Sequence, residues 1–224
     1  MARWFAALLL VSALADGTQD APSDAAAKAA LQKLADRFKE ARTLSARVSQ
    51  SRKTELLDKP LVSSGMMYYR RDPARLVFRL TEPRKAEIHM DRTSYQVYRP
   101  DEKRVERTDF ENDDVTGKIL MVFEPKPDDL GKTFAIRGGG SKDGRVEVRL
   151  EPSDEKVRKR LKRVSLTIAE ADGTLQRLSY FDGEGDEVTL DLSDVVINPD
   201  LAQELFALQV PGGIRVFRRT VKKE

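Results

Sequence analysis

Reactive groups are scarce in this chain. Its 224 residues include one histidine, His89, and no cysteine. Thiolate nucleophiles, disulfides and Cys-type metal sites are excluded together. His-rich zinc sites go with them, and little room is left for a Ser-His-Asp triad. Carboxylates are plentiful, as at Asp113-Asp114, Asp128-Asp129 and residues 182–187. Paired acids can do hydrolysis, but these pairs fall in turn-like stretches and read as solvated surface. Gly138-Gly139-Gly140 precedes Ser141. No Gly-Lys-Ser/Thr or helix start follows, so this reads as a flexible turn rather than a phosphate loop. His89 is expected on the strand face opposite Ile88 and Met90, partly exposed and without a role. The chain reads as a non-enzyme with no metal and no cofactor.

The remaining chemistry is apolar and electrostatic. Leu76, Phe78 and Leu80 share parity along one strand, and Ile88 and Met90 continue that face on the next. Leu34, Phe38, Leu120 and Phe123 supply apolar helix faces. These nine residues make apolar faces, and each would look the same filling an ordinary core. From 156 to 163 six of eight residues are basic. That stretch reads as solvated and edge-protecting, since positive side chains blunt strand pairing. Its functional reading is a docking patch for anionic headgroups or an acidic partner.

These groups must be positioned by helix and strand. Leu31, Leu34, Ala35 and Phe38 recur at three- and four-residue steps. The spacing predicts a helix from Ser23 or Asp24 to about Arg42. The period then drops to two. Leu44, Ala46 and Val48 alternate with Ser45, Arg47 and Ser49, a strand with one apolar face. Further strands are predicted at 65–71, 75–80, 88–90, 95–98, 103–108, 133–137, 145–151, 164–169, 175–181, 188–192, 195–197 and 214–221. Asp72-Pro73 and Asp172-Gly173 supply turns. Helical turns are expected within 112–123 and 200–205, and loop at 124–129 with its two prolines. Mostly short connections imply an antiparallel meander. The expected fold is α+β, with helices packed on one face of a strongly curved sheet.

The first fifteen residues are of another kind. Arg3 precedes an apolar run from Trp4 to Ala15, which ends in the small-x-small site Ala13-Leu14-Ala15. That is the pattern of a secretory signal peptide cleaved after Ala15, too short for a spanning helix. Its removal leaves 209 residues with 39 cations against 37 anions. So even a balance argues against nucleic-acid binding. An exported chain without disulfides suits the bacterial periplasm. No linker or repeat divides residues 16–224, which read as one domain.

Several stretches together resemble one family, the periplasmic outer-membrane lipoprotein carriers of the LolA type. TLSARVSQ at 43–50 resembles the family's first strand after its N-terminal helix. YYRRDPARLVF at 68–78 resembles its aromatic–basic–Pro hairpin, and DRTSYQVYRP at 91–100 a later strand, with Arg92 where the family usually has Gly. The ending from Asn198 to Val216, with Phe206, Pro211 and Gly212, resembles the family's close.

The resemblance implies an incomplete, half-open antiparallel β-barrel of about ten to eleven strands with an α-helical lid. The apolar interior, with the nine residues above, would shield acyl chains of lipoproteins. The partners implied are acylated lipoproteins, an inner-membrane exporter complex and an outer-membrane receptor, with the carrier a monomer. In the family an arginine directly before the hairpin proline bonds to the lid and holds the empty cavity shut. Here Asp72 stands there, and Arg71 and Arg70 lie two and three residues before Pro73, so either is the expected latch. The alternatives are a lipid-sensing envelope-stress module, or a carrier of another amphiphilic lipid.

Overall fold

The structure is a computed structural model that describes residues 24–110, 120, 123, 126–159, 161–182 and 185–221. The expected signal peptide at 1–15 lies outside these residues. So does most of the expected helical segment 112–123, apart from Leu120 and Phe123.

Helix α1 spans Asp24–Lys39. Its alanines, leucines and lysines are strong helix formers. Asp24 in the first turn and Arg37 and Lys39 in the last complement the helix dipole. Ala27, Ala30, Leu31, Leu34 and Phe38 form its buried face. Six strands follow: β1 (Thr43–Lys53), β2 (Leu61–Arg70), β3 (Arg75–Glu82), β4 (Ala86–Met90), β5 (Ser94–Arg99) and β6 (Arg104–Phe110). Then come α2 (Pro127–Thr133), β7 (Phe134–Lys142), β8 (Arg145–Pro152), α3 (Glu155–Arg158), β9 (Leu161–Ala169), β10 (Leu175–Asp182) and β11 (Glu187–Ile197). A 3-10 turn at Gln203–Phe206 and the strand β12 (Arg215–Val221) end the chain.

Among the described residues twelve strands form one open sheet, in the order β12-β6-β5-β4-β3-β2-β1-β11-β10-β9-β8-β7. The strand count is therefore twelve, not ten to eleven. The meander is also two meanders. Strands β1–β6 make one arc, β7–β11 the other, and they join where β1 pairs with β11. Strand β12 pairs parallel with β6. The chain reaches it by running residues 198–214 from the end of β11 to the far edge, over the outer face of β3, where the 3-10 turn packs. Phe206 anchors that strap, 2% exposed. Arg75 donates to its carbonyl at 2.8 Å, and the Arg70 guanidinium lies 4.8 Å over its ring.

Three local expectations are corrected. The glycines at 138–140 lie inside β7, at a bulge opposite Val148 and Glu147. The turn is Asp143-Gly144, both at positive φ, as a two-residue hairpin turn requires. The expected loop at 124–129 becomes α2 from Pro127, whose fixed φ suits a first helical position. The basic stretch leads into β9, which lies between β8 and β10 and is no edge. The cationic edge is β12, with Arg215, Arg218 and Arg219.

Candidate functional site

The inner face of the sheet is built by strand parity. One row runs Leu44, Tyr69, Leu76, Met90 and Tyr95 across β1 to β5. The next runs Ala46, Met67, Phe78, Ile88 and Val97. Val48, Gly65, Leu80 and Ala86 begin a third. In the other arc Val146, Val148, Leu150, Val164, Leu166 and Ile168 continue the apolar surface. Helix α1 packs its buried face against β7, β8 and β9.

All nine predicted apolar residues enter one cluster. Leu34, Phe38, Leu76, Phe78, Leu80, Ile88, Met90, Leu120 and Phe123 belong to it, none more than 9% exposed. Met67 and Tyr69 on β2 are equally central, fully buried, and were not singled out from sequence. Their two-residue spacing carried the signal, but it sits among serines and a glycine. The Phe123 and Tyr69 rings stack at 5.8 Å between centroids and 25°, so Phe123 covers this part of β2. The inner face is thus covered by the protein's own side chains in this state.

Polar contacts at the rim fasten that cover. At the start of α1 the Asp24 carboxylate accepts from the Gly138 amide at 3.0 Å and from Arg137 at 2.9 Å. The Gly138 amide is the larger cause of a carboxyl held below the ordinary aspartate range, and Arg137 the next. In its middle, Lys33 donates to the Glu170 carbonyl at 2.7 Å, and Arg37 pairs with Asp172 at 3.1 Å. Asp172 is itself lowered by the Thr174 hydroxyl and amide. Gly173 lies under α1 with φ +72°, and a Cβ there would meet the Lys33 backbone at 2.8 Å. At the end of α1, Arg71 donates to the Lys39 carbonyl at 2.7 Å and to the Phe38 carbonyl.

The two candidate arginines thus part company. Arg71 reaches α1, while Arg70 turns to the outer face and covers Phe206. Asn198 stitches the corner where α1 enters β1. Its side chain accepts from the Arg42 amide at 2.6 Å and donates to the Glu40 carbonyl at 3.1 Å. Beside Arg71 opens a cleft of about 740 Å³ between the end of α1 and α2, lined by Ala35, Asp36, Lys126, Asp128 and Lys132 among others.

His89 lies opposite Ile88 and Met90 as expected, in the outer row with Val77 and Gln96. It is buried, 6% exposed, rather than partly exposed. Phe206 and Leu208 of the strap line the small space over it. Its Nε2 lies 3.3 Å from Glu87 Oε2.

Comparison with known proteins places this geometry. Residues 39–209 match the family described as outer membrane lipoprotein carrier protein LolA. Outer-membrane lipoprotein carrier proteins of Cupriavidus taiwanensis and Ralstonia nicotianae are 26% and 27% identical over 157 residues. These alignments cover 70% of this chain and 71% and 70% of those proteins. A crystal structure of an uncharacterized conserved protein from Thermus thermophilus superposes with a TM-score of 0.51 at 10% identity. That match covers 87% of this chain and 99% of the other, and it concerns the fold alone.

Proposed function

The chain belongs to the LolA family, and from that premise we propose that it is a periplasmic carrier of lipoprotein acyl chains. The observation that carries the reading is the continuous apolar inner face under a helix fastened at its rim by polar contacts. Nothing need be hydrolysed. An acyl chain enters between α1 and β2, beside Phe123, and leaves unchanged.

The magnitudes set when such a lid opens. Parting the cover from β2 and β3 uncovers Met67, Leu76 and Phe78 at about 2 kcal/mol each, with a comparable sum on the cover side, roughly 12 kcal/mol together. A 16-carbon chain offsets about 12 kcal/mol at 0.8 kcal/mol per CH₂ buried. One chain therefore breaks even, and two or three drive the open state. A multiply acylated lipoprotein anchor fits this balance better than a single fatty acid. Residues 1–15 serve as the export signal in this reading. An inner-membrane exporter loads the carrier and an outer-membrane receptor unloads it. Arg71 is the latch that keeps the empty form closed.

The test is release. Purified protein added to spheroplasts should move radiolabelled lipoprotein into the soluble fraction. If no soluble complex forms while ordinary lipids copurify, the lipoprotein assignment fails and carriage of another amphiphile replaces it.

A further inference from the structure

The β1–β2 hairpin presents apolar side chains to solvent. Leu56 is 93% exposed, Leu57 45%, Leu61 56% and Val62 54%. These four fall within seven residues at one tip, and none of them joins the core cluster. The tip is ordered by its own chain, since Thr54 accepts from the Leu56 amide through its hydroxyl at 3.2 Å and from the Leu57 amide through its carbonyl. Scattered single leucines on a surface need no explanation, but a cluster at a projecting tip does. Its charges balance, Lys53 and Lys59 against Glu55 and Asp58.

The cations lie beside it at the same end of the sheet. Lys53 ends β1 opposite Glu187, Glu187 pairs with Phe181, and Phe181 pairs with Arg163 at the start of β9. With neighbouring strands about 4.8 Å apart, Arg163 sits roughly 15 Å along the rim from Lys53, where the tip begins. There Arg158, Lys162 and Arg163 line an open cleft of about 450 Å³ with one carboxylate, Glu151, and the Phe181 ring. The Arg163 guanidinium lies 4.7 Å over that ring. Lys159 is exposed next to it, and Arg84 and Lys85 are exposed in the β3–β4 turn, at this same end on the other side of the tip. Asp154 and Glu155 are the nearby exposed acids.

We infer that this end of the sheet docks on an anionic phospholipid bilayer, with Leu56 and Leu57 entering the interface and the Arg158–Arg163 cleft holding lipid headgroups. A bilayer is wide and flat enough to engage tip and cleft together. A charge-balanced apolar tip is suited to lipid, whereas an acidic polypeptide would use the cations alone. Two leucines give weak insertion, and a few basic residues give weak adsorption. Joined, they give contact that holds and still reverses, as a shuttle between membranes requires. The inference concerns the outside of the molecule and does not depend on what the inner face carries.

Sedimentation of the protein with vesicles of phosphatidylglycerol and phosphatidylcholine, against phosphatidylcholine alone, tests it. Binding should need the anionic lipid and weaken with salt. Arg158→Glu with Lys162→Glu should lower the binding constant at least about 25-fold, at about fivefold per cation near an anionic surface. Leu56→Ser with Leu57→Ser should lower it on the order of thirtyfold with little change of thermal midpoint, because Leu56 is already in water and Leu57 half so. Leu56→Ser alone, at the most exposed position, repeats the test with the smallest risk to folding. No binding to anionic vesicles overturns the inference, as does binding that survives the leucine changes. Capture by immobilised polyglutamate without vesicle binding overturns it in favour of an acidic protein partner. Each of these readings is separate from lipoprotein release by spheroplasts, so either result can fail alone.

Discussion

Removal of the Arg71 guanidinium should unlatch α1. In Arg71→Leu two hydrogen bonds from a cation to the last carbonyls of the helix disappear, those to Lys39 and Phe38. Bonds of this kind reach about 1.5–3 kcal/mol when buried. Arg71 is half-exposed, so about 1 kcal/mol each is the better figure, or about 2 kcal/mol together. That raises the population of the open form about thirtyfold, since about 1.4 kcal/mol is a factor of ten. The natural absence of cysteine supplies the assay. Met67→Cys places one thiol on the fully buried inner face of β2. Its labelling rate by a soluble disulfide reagent then reports opening. Arg71→Leu should accelerate labelling about thirtyfold. Arg70→Leu, which loses its stacking on Phe206 on the outer face, should leave it unchanged. Equal rates in wild type and Arg71→Leu would refute the latch, and so would acceleration by Arg70→Leu alone.

Two more predictions concern the other anchors. Asp24 and Asp172 have carboxyls lowered by their hydrogen bonds, so their contribution is complete above the ordinary aspartate value, begins to fade below it and is lost once pH falls through the lowered folded value. Below about pH 4 the protein should bind a hydrophobic dye with little change in far-UV circular dichroism, and Asp24→Asn should shift that onset upward; simultaneous loss of secondary structure would count against a loosened lid. Gly173→Ala places a Cβ at positive φ and against the Lys33 backbone. It should destabilise by about 2 kcal/mol and lower Tm by roughly 4–8 °C, and an unchanged Tm would show that the turn simply moves aside.

Parity was enough to read the faces of β1, β3 and β4, but not of β2, whose Met67 and Tyr69 follow serines and a glycine. Leu76, Phe78 and Leu80 could be assigned to one face because a pleated strand offers only two, and one of them had to be buried. Helix α1 was legible for the same reason, with Leu31, Leu34 and Phe38 on one stripe. The glycines at 138–140 misled because a glycine run signals a turn, whereas here Gly139 packs directly against the Glu147 side chain within a bulged ladder. His89 misled because strand parity says which face a residue takes but not what later covers that face. The cover is the strap 198–214, a segment more than a hundred residues away. The basic stretch misled because clustered cations suggest an edge, whereas the strand it leads into, β9, pairs with both of its neighbours in sequence, β8 and β10.

The pairing of β1 with β11 also indicates how the interior can open without unfolding. Helix α1 packs on β7, β8 and β9 and is bonded to Gly138, Glu170 and Asp172, all in or bordering the second arc. To the first arc it is joined by Arg71 and by its own chain through the Asn198 corner. The weaker side of the cover therefore faces β2 and β3. Parting there leaves α1 on its own arc, breaks no ladder hydrogen bond, and exposes Met67, Leu76 and Phe78 to whatever enters beside the cleft between α1 and α2. Lifting α1 off β7–β9 instead would break three polar anchors and strip a packed face at once. The first-arc side is held by the two Arg71 hydrogen bonds and the Phe123–Tyr69 stack, against three polar anchors and a packed helix face on the other, so a carrier of this build is expected to open at the Arg71 side, with the β1–β11 junction as the spine about which the arcs stay joined.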